Sequence, residues 1–198
     1  FNNTQNVNIS IPSIIANEPA QINVRYAATS YSGSSVFTLK NNGVQLFNTT
    51  VPITSGGDFP SGGNANKVSR ELNLSGSNSF EITFNNNDPQ ANGFLDYLEV
   101  IAKANLNLSA SFLPFRSTEN IGSGNVTRFQ INGSNSNTEV WEVTRGTEVA
   151  RINGNLNGGQ YIFSVATDSL REFVAVNTGL SNFPTPAYGE PVANQNLH

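Results

Sequence analysis

Apolar and polar residues alternate along most of this chain with the period of two that is typical of half-buried β-strands. Clear examples are Val7, Ile9 and Ile11 near the start of the chain, each followed by a polar residue or proline. Similar segments are centred on residues 22–26, 37–39, 44–46, 68–74 and 80–84. No window of about twelve residues carries an apolar stripe at the helical spacing of 3.6. The pattern therefore predicts an all-β fold with almost no helix.

Turn residues divide the first part of the chain into strands that would form a sandwich. The dipeptide Asn42-Gly43 predicts a hairpin, because both residues tolerate the positive φ of a type I′ turn. The glycine-rich segment 56–63 predicts a loop that crosses between two sheets. Residues 94–102 are apolar on both faces apart from Asp96 and Glu99, which predicts a central strand. Together these features predict a jelly-roll-type β-sandwich over residues 1–107.

A second small antiparallel β-domain is predicted over residues 108–178. Short strands alternate there with tight turns that contain glycine, as in a meander. The predicted strands are 111–116, 126–131, 139–144, 148–152, 160–166 and 172–176. Residues 179–198 are rich in proline and glycine towards their end, and we interpret them as a linker into an absent catalytic domain.

The composition narrows the classes of partner. Charged residues make up 12% of the chain and the net charge is −4, with no basic run that would suit nucleic acid or an anionic membrane surface. Asparagine, glycine, serine and threonine replace lysine and glutamate, as is common in secreted and cell-surface β-proteins. No apolar run approaches the roughly 18–20 residues that span a bilayer.

Catalysis by this segment is not expected. The chain has no cysteine, so it offers neither a thiolate nucleophile nor a disulfide or thiolate metal site. Its one histidine, His198, is the terminal residue of the linker and is not a candidate base. We therefore predict no catalytic residue and no cofactor in these 198 residues.

Two features have a binding interpretation beside a structural one. Asp88, at the end of an Asn-rich run, and Asp96 are weak candidates for Ca²⁺ ligation, because Ca²⁺ prefers carboxylate and amide oxygens. Their spacing fits no EF-hand, and we favour a solvated turn with no metal. Trp141, the single tryptophan, could stack on a sugar ring. Its strand position predicts core packing instead, on the face opposite Glu142.

Four segments carry a family resemblance when they are taken in order. They are Gly-Phe-Leu-Asp-Tyr-Leu-Glu-Val at 93–100, Glu-Val-Trp-Glu-Val-Thr at 139–144, Asp-Ser-Leu-Arg-Glu-Phe-Val-Ala-Val at 168–176 and Val-Ala-Asn-Gln-Asn-Leu-His at 192–198. The first is also similar to the late strand of carbohydrate-binding-type jelly rolls. In combination, they resemble the region just upstream of the catalytic domain in gingipain-like sortases of the type IX secretion system.

The resemblance implies a role outside the chemistry itself. In that family a cysteine peptidase domain follows this region and removes the C-terminal sorting domain of cargo at the outer membrane of Bacteroidetes-type bacteria. We therefore expect a non-catalytic N-terminal region at the extracellular face of the outer membrane. It would position the downstream peptidase domain and dock an outer-membrane secretion partner. The alternative is a carbohydrate-binding module of a secreted bacterial enzyme.

Overall fold

The computed structural model describes residues 3–54 and 62–180, and every regular element in this part of the chain is a β-strand. This confirms the predicted all-β class. No helix in the described residues is long and apolar enough to cross a membrane. The strands are β1 (Thr4–Ser10), β2 (Ala20–Thr29), β3 (Ser35–Asn41), β4 (Val44–Val51), β5 (Asn64–Leu72), β6 (Ser77–Asn85), β7 (Asn92–Ile101), β8 (Phe112–Arg116), β9 (Val126–Asn132), β10 (Thr138–Glu142), β11 (Ala150–Ile152), β12 (Asn155–Asn157), β13 (Gln160–Ala166) and β14 (Glu172–Asn177).

The chain divides into two compact units, Phe1–Asn105 and Leu106–His198. The first unit contains two antiparallel sheets, with the strand orders β1-β6-β3-β4 and β5-β2-β7. Every connection between consecutive strands crosses from one sheet to the other, except the β3–β4 hairpin. This winding is that of a jelly roll, the class predicted from the alternating pattern.

Residues from both sheets fill the core of the first unit. β2 contributes Ile22, Val24, Tyr26 and Ala28, which alternate with outward-facing residues as the strand geometry requires. Phe37, Leu39, Val51, Phe80 and Ile82 meet them from the opposite sheet. The Tyr26 ring stacks on Phe37 with the ring centroids 4.4 Å apart.

The structure confirms one prediction for this unit and corrects another. Asn42 and Gly43 both adopt positive φ, at 49° and 81°, and close the β3–β4 hairpin as predicted. The prediction that residues 94–102 form a central strand is wrong, because β7 lies at the edge of its sheet and β2 lies at the centre. The apolar residues that suggested burial on both faces include Phe94 and Ile101, which are exposed.

The second unit is also built from two facing sheets, with the orders β11-β10-β14-β8 and β12-β13-β9. Its centre is a cluster of phenylalanine rings with ring centroids 5.2–6.3 Å apart, formed by Phe115, Phe129, Phe163 and Phe173. The rest of the buried core is formed by Leu108, Ile131, Val140 and Ala175. The short strand β12 had no counterpart among the predicted strands, since its three residues are too few to show a period.

Some predictions fall outside the described residues. These are the centre of the 56–63 loop and the lead-out that ends at His198.

Candidate functional site

Asp88 organises two neighbouring loops of the first unit. Its Oδ2 accepts hydrogen bonds from the backbone N–H groups of Tyr31, at 3.0 Å, and Ser32, at 3.1 Å. Its Oδ1 accepts the backbone N–H of Gln90 at 2.9 Å. These donors, with Gln90 first and Tyr31 next, hold the pKa of the Asp88 carboxyl below its usual value. Both oxygens of this candidate metal ligand therefore already bind protein donors.

Asp96, the other weak candidate for a metal ligand, lies on β7 and forms an ion pair with Arg25 of β2. The pairing of β2 with β7 shifts register between Arg25 and Tyr26, as in a β-bulge, and Asp96 is the β7 residue at this shift. The structure thus gives Asp88 and Asp96 separate partners. Among residues 3–54 and 62–180, no three His, Cys, Asp or Glu side chains form a group that could hold a metal ion.

A pocket of about 480 Å³ lies beside Asp88 in the first unit. Its apolar part is formed by core residues of both sheets, namely Phe37, Ile82, Phe84 and Leu95. Its polar part consists of side-chain amides, one carboxylate and one threonine, supplied by Asn3, Gln5, Asn86, Gln90, Asn92, Asp88 and Thr4. The volume is within the range of roughly 300–1,000 Å³ that is typical of small-molecule sites.

The pocket depends on a glycine. Phe84 is half-buried, and its ring lies directly against the backbone of Gly93 on β7. A Cβ at Gly93 would overlap the ring carbons of Phe84, so any larger residue would displace the ring. This close approach explains why glycine stands inside a strand at this point.

Sequence reasoning did not find this pocket. Its lining comes from residues 3–5, 37 and 82–95. They are brought together by the pairing of β1 with β6 and of β6 with β3, and by the packing of β7, from the other sheet, against the core. The one available signal is the polarity of Gln5. Alternation with Val7 predicts an inward, apolar residue at this position, and Gln5 is indeed paired with the buried Ile82.

Trp141 of the second unit lies on the outer face of its sheet, which corrects the prediction that it packs in the core. Val140, its neighbour, is fully buried and faces the core, so alternation turns Trp141 to the other side. The prediction is wrong because it places the charged Glu142 on the solvent face. Glu142 instead lies on the core side at the end of β10, where Arg171 pairs with it.

The outer face around Trp141 is unusually apolar. Trp141 is paired with Val174, and Val174 with Pro114. Val176 is paired with Phe112, which is 61% exposed. Because directly paired residues project on the same face, these five side chains form one patch, which we call the Trp141 face.

Ion pairs border the Trp141 face on two sides. Arg116 pairs with Glu172 at 2.7 Å, and Arg151 pairs with Glu139 at 3.1 Å. Trp141 lies at the β10 edge of this patch and Val174 at its centre. An apolar patch that includes a tryptophan and has a polar border is typical of protein–protein contact sites.

The described residues contain no histidine or cysteine that could act in catalysis. The sequence has no cysteine, and its one histidine, His198, lies outside the described part. The absence of catalytic residues and cofactors remains a prediction from the sequence.

The fold defines an all-β protein of antiparallel sandwich units. No protein-family model matches the chain, and no curated protein matches it in sequence. Among solved structures it is similar to the crystal structure of dimeric latent PorU from Porphyromonas gingivalis, with a TM-score of 0.75 and 16% sequence identity. The match covers 89% of this chain and 18% of the PorU chain. At this identity the likeness shows a PorU-like fold, and the chain spans less than a fifth of the length of PorU.

Proposed function

We propose that this chain is the non-catalytic N-terminal region of a PorU-like, gingipain-like sortase of a type IX secretion system. The observation that carries the proposal is the structural similarity over 89% of this chain to a part of PorU. A cysteine peptidase needs a thiolate nucleophile, and this segment has no cysteine, so the chemistry would belong to another part of the protein. The proposed region consists of a jelly roll over 1–107, a small β-domain over 108–178 and a linker over 179–198.

The proposed work of the region is to position the peptidase domain at the extracellular face of the outer membrane. The Trp141 face is the surface we assign to contact with that domain. The bordering arginines and glutamates are already paired within the chain, so the surface presents an apolar centre without a net charge to match. A domain of the same polypeptide suits such a surface, because linkage supplies a high effective concentration without charge steering.

Contact through the Trp141 face is tested by adding the 198-residue chain to the separately produced remainder of the same gene product. Calorimetry should give a measurable affinity, and both Phe112→Ser and Trp141→Ala should weaken it by about tenfold or more. Val44→Ala, at a 67% exposed residue of β4, is the matched control and should leave the affinity unchanged. Equal affinities for all four proteins would contradict this surface.

The region should also be inert as a peptidase. The purified chain should cleave no peptide after Lys, Arg or any other residue. Turnover that survives repurification and disappears on a point mutation in this chain would overturn the proposal.

A carbohydrate-binding module of an unrelated secreted enzyme is the alternative. In that case the complete protein would contain no gingipain-like domain. Docking of an outer-membrane secretion partner is a further proposed role, for which the family resemblance is the support.

A further inference from the structure

The pocket beside Asp88 is lined by polar side chains at positions where the core of a sandwich would have apolar ones. On β1, Val7 and Ile9 pack against the core, and Gln5 takes the next position on the same face. Gln5 stands opposite the buried Ile82, so its amide lies on the inward side where the pocket opens. The inward face of β1 therefore changes from apolar to polar at the pocket.

The charges around the pocket disfavour ionic ligands. Among the described residues that line it, none is lysine or arginine, so no cationic side chain there would pair with a phosphate or a carboxylate. The one acidic lining residue, Asp88, accepts hydrogen bonds from Tyr31, Ser32 and Gln90 and is thereby engaged. No second or third carboxylate among the described lining residues would help it hold a cation. A neutral ligand fits the lining best.

The remaining groups suit hydroxyls beside an apolar surface. Each amide offers both a donor and an acceptor, as a sugar hydroxyl does. Gln5 and Gln90 are exposed, and the side-chain amide of Asn92 donates a hydrogen bond to the backbone carbonyl of Gln90 at 3.1 Å. The half-buried ring of Phe84 supplies an aromatic wall. Its position is fixed by the backbone of Gly93 and by the ring of Phe37, whose centroid lies 5.1 Å from that of Phe84. Aromatic rings accept the C–H face of a pyranose by apolar contact.

We propose that this pocket binds a neutral oligosaccharide, with Phe84 as the apolar wall and Gln5, Gln90 and Asn92 as the hydrogen-bonding groups. The site belongs to the first unit and is separate from the Trp141 face. It does not depend on the proposed sortase role, since both a sortase region and a carbohydrate-binding module could bind a glycan there.

The test is a titration of the complete 198-residue chain with cellohexaose, xylohexaose and mannohexaose, followed by amide chemical shifts. At least one of these neutral probes should bind, with shifts at the 86–92 loop. Gln90→Ala and Phe84→Leu should each weaken that binding by about tenfold. Gln45→Ala, an exposed amide on β4 outside the pocket lining, is the matched control and should change it less than about twofold.

Four outcomes would overturn the proposal. The first is no binding of any of the three probes at about 10 mM. The second is binding that survives both Gln90→Ala and Phe84→Leu. The third is loss of binding in Trp141→Ala alone, which would assign the sugar to the second unit. The fourth is tighter binding of an oligogalacturonate or of an uncharged extended peptide, which would assign the pocket to another ligand class. Gln90 lies on an exposed loop, so its variant keeps the test valid if Phe84→Leu fails to fold.

Discussion

The indole Nε1 of Trp141 donates a hydrogen bond to Oε2 of Glu139, 3.2 Å away, on the outer face of β10. The other oxygen of the same carboxylate pairs with Arg151 of β11. The indole is thereby fixed on the surface of the sheet and its N–H is satisfied without entering the core. A tryptophan held in this way can serve as an anchor for a partner at little entropic cost.

Replacing Trp141 should therefore cost far less stability than replacing a core aromatic residue. Phe173→Ala, at a residue that is 1% exposed, should lower the free energy of unfolding by about 3–5 kcal/mol. Trp141→Ala should cost less than half of that amount, because the indole lies outside the phenylalanine cluster. Urea denaturation followed by circular dichroism measures both variants. Equal losses would show that Trp141 packs in the core after all.

Acid should weaken the second unit partly through Glu142. The Arg171 guanidinium hydrogen-bonds this carboxylate and holds its pKa below the usual 4.5. Because the pKa is lower in the folded than in the unfolded chain, the stabilisation is complete above about pH 5. It is lost as the pH falls below 4.5 and through the folded-state pKa.

The Glu142→Gln variant tests this titration. Thermal unfolding between about pH 6 and pH 2.5 should show a weaker pH dependence in the variant than in the parent chain. Glu148→Gln, at an exposed ion pair with Arg145, serves as the control with the same change of charge. A pH profile that Glu142→Gln leaves unchanged would contradict the assigned role of Arg171.

The hydroxyl of Tyr26 offers a prediction of increased stability. Tyr26 is 0% exposed, and its hydroxyl has no hydrogen-bond partner among the described residues. Burial raises the pKa of this phenol, so it stays neutral in the core. Tyr26→Phe keeps the stacking on Phe37 and removes an unpaired polar group, which should raise the free energy of unfolding by up to about 1 kcal/mol.

The exposed Tyr31 provides the matched control, since Tyr31→Phe should leave stability within about 0.5 kcal/mol of the parent chain. Guanidinium denaturation distinguishes the two variants. A loss of more than about 1 kcal/mol in Tyr26→Phe would mean that the hydroxyl is hydrogen-bonded in solution.

Local patterns were sufficient to predict the fold class of this protein. Period-two alternation identified most strands, and the positive φ tolerated by Asn42 and Gly43 identified the hairpin. Both signals lie within a few residues, so the sequence shows them directly. The errors arose where distant residues decide the outcome. Glu142 shares the core side of β10 with Val140, and Arg171, 29 residues further along the chain, pairs with it there.

The pocket could not be predicted for the same physical reason. Gln5 and Gln90 line one pocket because β1 pairs with β6, the strand that leads into the loop carrying Gln90. No residue spacing in the sequence predicts the pairing of β1 with β6. Gly93 was visible only as a glycine in a strand, and the Phe84 ring that requires it comes from the preceding strand β6.

The central claim is that this chain is the accessory region of a larger sortase-like peptidase. Its most direct test is to capture the native protein from its source cells with an antibody against this chain and to map its peptides by mass spectrometry. The account predicts one polypeptide that continues into a gingipain-like domain with its own cysteine and histidine, recovered from the cell surface. A native protein without such a domain, or with an unrelated enzyme in its place, would contradict the account.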